Sequence, residues 1–236
     1  MKKYLIPATV ILAVAAFAGY FYWSSNRPAG DAASVGSDES APAFAQPSQP
    51  QPNPNAPNMG FPFLDTSMLK PPAGSKVAIF VFEDLECPAC AHAFPVVRTA
   101  VEHYKIPLVR HDFPLTEIHI WSFDAAVTAR YLQDHVSPKL ADTFRGDVFA
   151  HQNTISNKDD LDAFTRAWFQ SHGQTMPFVM DAGGACSSEV KADRALGDRL
   201  GIHSTPCILV VTQSKYVQVT DVTQLGQLIQ NALTEA

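Results

Sequence analysis

The sequence predicts an α/β domain with a block of helices set inside it, behind an N-terminal membrane segment and a proline-rich linker. Three stretches carry that expectation. Val77–Phe82 is an apolar, β-branched run that leads through an acidic turn to Cys87-Pro88-Ala89-Cys90 and then to helical spacing. Residues 116–200 show helical apolar stripes almost throughout. Thr205-Pro206 then introduces a second buried-strand run, a short partner strand and a closing helix.

Residues 1–27 read as a membrane anchor. Lys2 and Lys3 precede an uncharged run of twenty residues, Tyr4 to Trp23, about what a bilayer core requires. Tyr4 stands at one end and Tyr20, Tyr22 and Trp23 at the other, as interfacial aromatics do. The lysines place the N-terminus in the cytoplasm and the rest of the chain on the periplasmic or extracytoplasmic side. A cleaved signal peptide, cut after Ala16-Phe17-Ala18, is the alternative, and it exports the domain equally. Residues 28–65 read as a disordered linker. Eight prolines fall between Arg27 and Phe63 among Ser, Gln, Asn, Ala and Gly, a composition with too little apolar area to offset its ordering entropy.

The folded domain is then expected over residues 66–236. Its first strand, Val77–Phe82, hands over to a helix whose Cys90, Phe94, Val97, Val101 and Tyr104 share one face. Pro95 inside that helix removes one backbone hydrogen bond and should kink it without ending it. Pro107–Phe113 reads as a second strand, parallel to the first, which completes a βαβ unit. Four helical segments follow. Trp121, Ala125, Ala126, Ala129 and Leu132 mark the first, and Leu140, Phe144, Val148 and Phe149 the second. The third opens at Asp159-Asp160 and turns Leu161, Phe164, Trp168 and Phe169 inward; the fourth runs from Ser188 to Leu200 and stops at Gly201. Strands over 207–212 and 215–219 should form a hairpin, and a helix over Val222–Leu233 closes the domain.

The chemistry lies in Cys-x-x-Cys at a strand–helix junction. The first thiol sits beside the free N–H groups and positive dipole end of the helix, which favour the thiolate. In such motifs the pKa falls from about 8.5 to between roughly 3.5 and 7.5. Pro88 suits the first turn, where its missing N–H has no intrahelical partner anyway. Cys87 is therefore the expected exposed nucleophile and Cys90 the buried resolving thiol. Half a zinc site or a plain structural disulfide is what the tetrapeptide alone leaves open. Thr205-Pro206 adds a second mark. A proline directly before a buried strand withholds a ladder donor, which fits a cis bond beside a functional site.

Taken in order, these features resemble the thioredoxin fold with a helical insertion over about 116–200, and in particular the DsbA family of exported thiol–disulfide oxidoreductases. The carriers are Asp84-x-x-Cys87-Pro88-Ala89-Cys90, Phe113-Pro114-Leu115, and Gly201-Ile202-His203-Ser204-Thr205-Pro206. Pro206 lies 116 positions after Cys90, room that a helical insertion fills. The resemblance implies that Cys87 forms the mixed disulfide, that Cys90 resolves it, and that Thr205 and Pro206 bind the substrate peptide. Asp84, Pro88 and Ala89 form the environment of the thiols. Ser204 stands where the family usually has glycine, Ala89 replaces a histidine or tyrosine, and Val81 occupies the position of a buried acid in some members. Cys186 and Cys207 either pair as a second, structural disulfide or stay two separate buried thiols, with the balance toward the latter.

The family implies no cofactor. Its partners would be cysteine-containing exported proteins and a membrane redox partner that reoxidises the pair. The formal net charge of −6 and the absence of basic blocks argue against nucleic acid. His111, His119, His135 and His151 form no metal-binding pair, so no metal is expected. The favoured reading is a membrane-tethered disulfide oxidant. A reductase or isomerase of the same fold, and a non-enzymatic tethered peptide-binding or chaperone module, are the alternatives.

Overall fold

The computed structural model describes residues 69–236; the expected anchor and linker lie outside them. Strand β1 (Val77–Glu83) is buried along its whole length, because it runs between two layers. Its odd-numbered residues Val77, Ile79 and Val81 face helix α1 (Pro88–Tyr104) and helix α6 (Leu225–Glu235). Its even-numbered residues Ala78, Phe80 and Phe82 face Leu69, Phe113, Leu200 and Ile202 on the other side. That two-residue period is what a strand covered on both faces requires.

Strand β2 (Leu108–Asp112) pairs parallel with β1, with Ile79 opposite Leu108 and Glu83 opposite Asp112. Strand β3 (Cys207–Thr212) pairs antiparallel on the other side of β1, and β4 (Tyr216–Gln218) completes a four-stranded sheet of order β2-β1-β3-β4. The expected βαβ unit and hairpin are thus present. Pro107 is not part of the ladder proper, although its carbonyl accepts from the Ile79 N–H at 2.9 Å.

Four helices fill the insertion: α2 (Ser122–His135), α3 (Pro138–His151), α4 (Lys158–Ser171) and α5 (Ala185–Arg199). The starts of α3 and α4 are set by side chains. Ser137 accepts from the Leu140 N–H and Asn157 from the Asp160 N–H, each satisfying an orphan donor. Helix α5 begins three residues earlier than its apolar spacing suggests, because the Asp181 carboxylate accepts from the N–H groups of Cys186 and Ser187. Its end agrees with expectation: Gly201 has φ +75°, a region that favours glycine. Pro95 leaves α1 unbroken through Tyr104. Among the described residues no helix is long and apolar enough to cross a membrane.

The helical block has its own core, built on Trp121, Ala125, Phe144, Val148, Trp168 and Phe169, and this core extends to Leu85, Cys87, Cys90 and Phe94. The cysteine motif therefore sits at the seam between sheet and insertion. On the opposite face, α5 approaches the sheet closely at Gly197, where an added Cβ would lie 2.4 Å from a Phe113 ring carbon. In an exposed helix Gly→Ala is worth about 1 kcal/mol of added stability. Gly197→Ala should instead destabilise by about 1–3 kcal/mol through overpacking against Phe113. A lower urea midpoint for the variant is the expected result; a raised one would show that the ring can move aside.

Candidate active site

Cys87 is the N-cap of α1 and Pro88 its first residue, so the sulfur stands at the end of the helix where backbone N–H groups are unpaired. In its protonated form the thiol donates toward the Thr205 carbonyl at 3.4 Å. Its pKa is lowered to about 5, first by the hydrogen bond from the Cys90 thiol, which outweighs burial. The Thr205 hydroxyl and the N–H groups of Ala89 and Cys90 add to the effect. That hydroxyl is buried and has no hydrogen-bond partner among the described residues, so a thiolate beside it is the acceptor it lacks. Cys90 is driven the other way. Burial, and then the neighbouring Cys87, push its pKa far up, and it therefore keeps its proton. The Asp84 N–H approaches its sulfur at 3.5 Å. The two thiols thus hold one proton between them, on Cys90.

Thr205–Pro206 is a cis peptide, and both residues are half-buried beside the motif. Cys87 itself is only 7% exposed, less than the solvent-facing nucleophile expected from sequence. The apolar core of the insertion reaches it through Leu85 and Phe149, and the Thr205 carbonyl covers its sulfur. Pro88 and Ala89 are exposed at the surface of the first turn. Asp84 is fully buried, and its carboxylate does not touch either thiol. It accepts from the N–H groups of Glu86 and Leu115 at 2.8 and 2.7 Å and bonds His119 Nδ1 at 2.8 Å. Asp84 therefore ties the cysteine turn to the segment after β2.

A Cys186–Cys207 disulfide is not formed. Cys186 packs with Ala126, Val127 and Val190 within the helical block, whereas Cys207 lies against the sheet with Phe82 and Leu209. Both are free, and burial raises both pKa values, that of Cys207 to about 12. They are buried thiols in separate clusters.

Several residues at the site escaped sequence reasoning. Gln152, in the short 3-10 turn after α3, donates to the carbonyls of Leu85 and Cys87 at 2.7 and 3.1 Å. Glu86 accepts from the Trp121 N–H at 2.8 Å. Behind the motif, Glu83 meets Arg110 at 3.0 Å and Arg145 at 3.4 Å; Asp112 meets Arg145 at 2.6 Å and Arg130 at 2.7 Å. Burial alone would raise the Asp112 pKa, but Arg145 and Arg130 hold it below the usual carboxylate range. One signal was available: Arg145 falls four residues after Ala141 and three before Val148, on the buried stripe of α3.

Comparisons with known proteins come to the same place. Residues 71–231 match the family model Thioredoxin_4, described as thioredoxin. No curated protein sequence matches the chain. Among solved structures, Proteus mirabilis ScsC in a transitional conformation is 16% identical, with a TM-score of 0.54 over 69% of this chain and 70% of that one. The thiol-disulfide exchange protein alpha-DsbA2 from Wolbachia pipientis is 18% identical (TM-score 0.52; 69% and 84% covered). A thioredoxin-like oxidoreductase from Silicibacter pomeroyi is 21% identical (TM-score 0.53; 68% and 88% covered). These likenesses agree with the thioredoxin-like fold read from the sequence.

The Cys87 pKa lies below its unfolded value of about 8.5–9, so ionisation stabilises the reduced protein. That contribution is fully present above about pH 9 and is lost as the pH falls through about 5. Thiolate ultraviolet absorbance of the reduced protein should disappear with a midpoint near pH 5, and Thr205→Val should move that midpoint upward. A midpoint above pH 8 would contradict the geometry.

Proposed function

Since the chain belongs to the Thioredoxin_4 family, we propose that it is an exported, membrane-tethered thiol–disulfide oxidoreductase that passes the Cys87–Cys90 disulfide to cysteine-containing proteins. One observation carries the reading: a thiolate-stabilised sulfur at a helix N-terminus beside a buried, protonated one. Export and tethering rest on residues 1–27, with the two lysines and the uncharged run that follows.

The exchange runs as follows. A substrate thiolate attacks Cys87 Sγ of the oxidised pair. The Cys87–Cys90 bond breaks, its electron pair passes to Cys90, and that sulfur takes up a proton, the form its burial favours. Cys87 is now joined to the substrate. A second substrate thiolate attacks the substrate sulfur of this mixed disulfide, and Cys87 leaves as a thiolate. Two electrons have moved from substrate to protein, and one disulfide has moved the other way. The carbonyl of Thr205, which precedes the cis bond to Pro206, lies against the sulfur at which the substrate chain is held, as a short strand addition. Gln152 fixes the turn that presents Cys87.

Oxidation is the favoured direction, because a stabilised thiolate makes the reduced form the lower in free energy. A membrane redox partner then restores the disulfide. First-thiol pKa values of about 7 and about 3.5 accompany potentials of roughly −270 and −120 mV. A Cys87 pKa lowered to about 5 is in keeping with the oxidising direction proposed here.

The test is oxidation of a reduced, unfolded protein together with a measured potential. Wild type should form disulfides in the substrate, whereas Cys87→Ser and Cys90→Ala, each lacking the donor disulfide, should form none. Unchanged activity in Cys87→Ser would overturn the reading. A potential more negative than about −270 mV would reverse the direction toward reduction.

A further inference from the structure

A groove of about 510 Å3 runs beside the cysteine motif. Trp121, Phe149 and Ile155 line it as an apolar floor, and Pro88 and Ala91 of α1 form one wall. Glu86, immediately before the nucleophile, contributes a carboxylate to it. That carboxylate is unlike the other acids around the motif. Glu83 has Arg110 and Arg145, Asp112 has Arg145 and Arg130, and Asp84 has His119. Glu86 has the Trp121 N–H and no Lys, Arg or His in ion-pair contact among the described residues. Burial raises its pKa, and the Trp121 N–H, with a smaller influence from His119, which also lines the groove, offsets this only in part. A partly desolvated carboxylate without a counterion gains from an arriving cation more than a fully hydrated one does.

The occupant that satisfies both the floor and the carboxylate has an apolar stem and a cationic head. Lysine and arginine are the side chains of that form. A wholly apolar side chain would cover Glu86 and leave it unpaired; an acidic one would meet Glu86 and the nearby Asp84. We infer that this groove takes a lysine or arginine side chain of the substrate polypeptide, close to its reacting cysteine, with Glu86 as the specificity-determining residue. Pro88 lies in the groove wall and directly follows Cys87, and an extended chain advances about 3.3 Å per residue. The cation therefore belongs within about three residues of the substrate cysteine. The assignment rests on the exchange reading above and adds the substrate class to it.

The test uses the oxidised full chain and reduced two-cysteine peptides carrying Lys, Met or Glu at each of the three positions on either side of one cysteine. The quantity read is the second-order rate of mixed-disulfide formation, compared as a ratio within each protein variant, so that changes in the sulfur chemistry cancel. Wild type should favour Lys over Met by about tenfold at one position at low ionic strength, with Glu slowest. Added salt should shrink the ratio. Glu86→Gln keeps an acceptor for the Trp121 N–H and should bring the three peptides within about twofold; Glu86→Lys should favour the Glu peptide. Equal rates for the three peptides on wild type, or a Lys preference that persists in Glu86→Gln, would overturn the assignment while leaving the exchange reading intact. Failure to oxidise any peptide would overturn the exchange reading, and the assignment with it.

Discussion

One shared proton governs this site. Cys90 is sealed against the core of the helical block, where a second negative charge is unaffordable, so it keeps its hydrogen and donates it toward Cys87. That bond is the largest influence holding Cys87 ionised. The helix N-terminus adds unpaired N–H groups, and Thr205 adds a hydroxyl that has no other partner among the described residues. Burial, which would raise the Cys87 pKa by itself, is what makes each of these donors effective, because hydrogen bonds to charge strengthen as water is excluded.

The arrangement needs both parts of the chain. The sheet and α1 present the two cysteines, but the walls come from the insertion. Gln152 holds the Leu85 and Cys87 carbonyls, the Trp121 N–H holds Glu86, and Asp84 reaches across to Leu115 and His119. Deeper in the seam, arginines from β2, α2 and α3 meet Glu83 and Asp112 at the ends of β1 and β2. Removing one member of such a buried network costs about 3–5 kcal/mol, because the partner is left charged and unpaired. The network therefore keeps insertion and sheet in one register, and with them the pocket around the sulfurs.

Much of this was legible in the chain. A strand buried on both faces is a continuous apolar run, and Val77–Phe82 and Cys207–Thr212 are such runs. The Cys-x-x-Cys and Thr-Pro marks are local, so their chemistry could be read without the fold. The boundaries that moved are those set by side-chain caps from outside the apolar stripe, such as Asp181 before α5. The ion network was not legible, since its members are scattered from Glu83 to Asp193 and look like ordinary surface charges. Asp84 was visible as a residue but not as a tie, because Leu115 and His119 lie more than thirty positions away.

By itself the sequence pointed to the two sulfurs on which the proposed exchange rests. Two thiols one helical turn apart, one of them at the dipole end of the helix, are a local consequence of four consecutive residues. Only the tertiary structure decided how accessible the first sulfur is, that Cys186 and Cys207 stand apart, and that Glu86 faces a groove without an ion-pair contact among the described residues. Those properties belong to distances between segments far apart in the chain, which packing of the insertion against the sheet sets and no local pattern encodes.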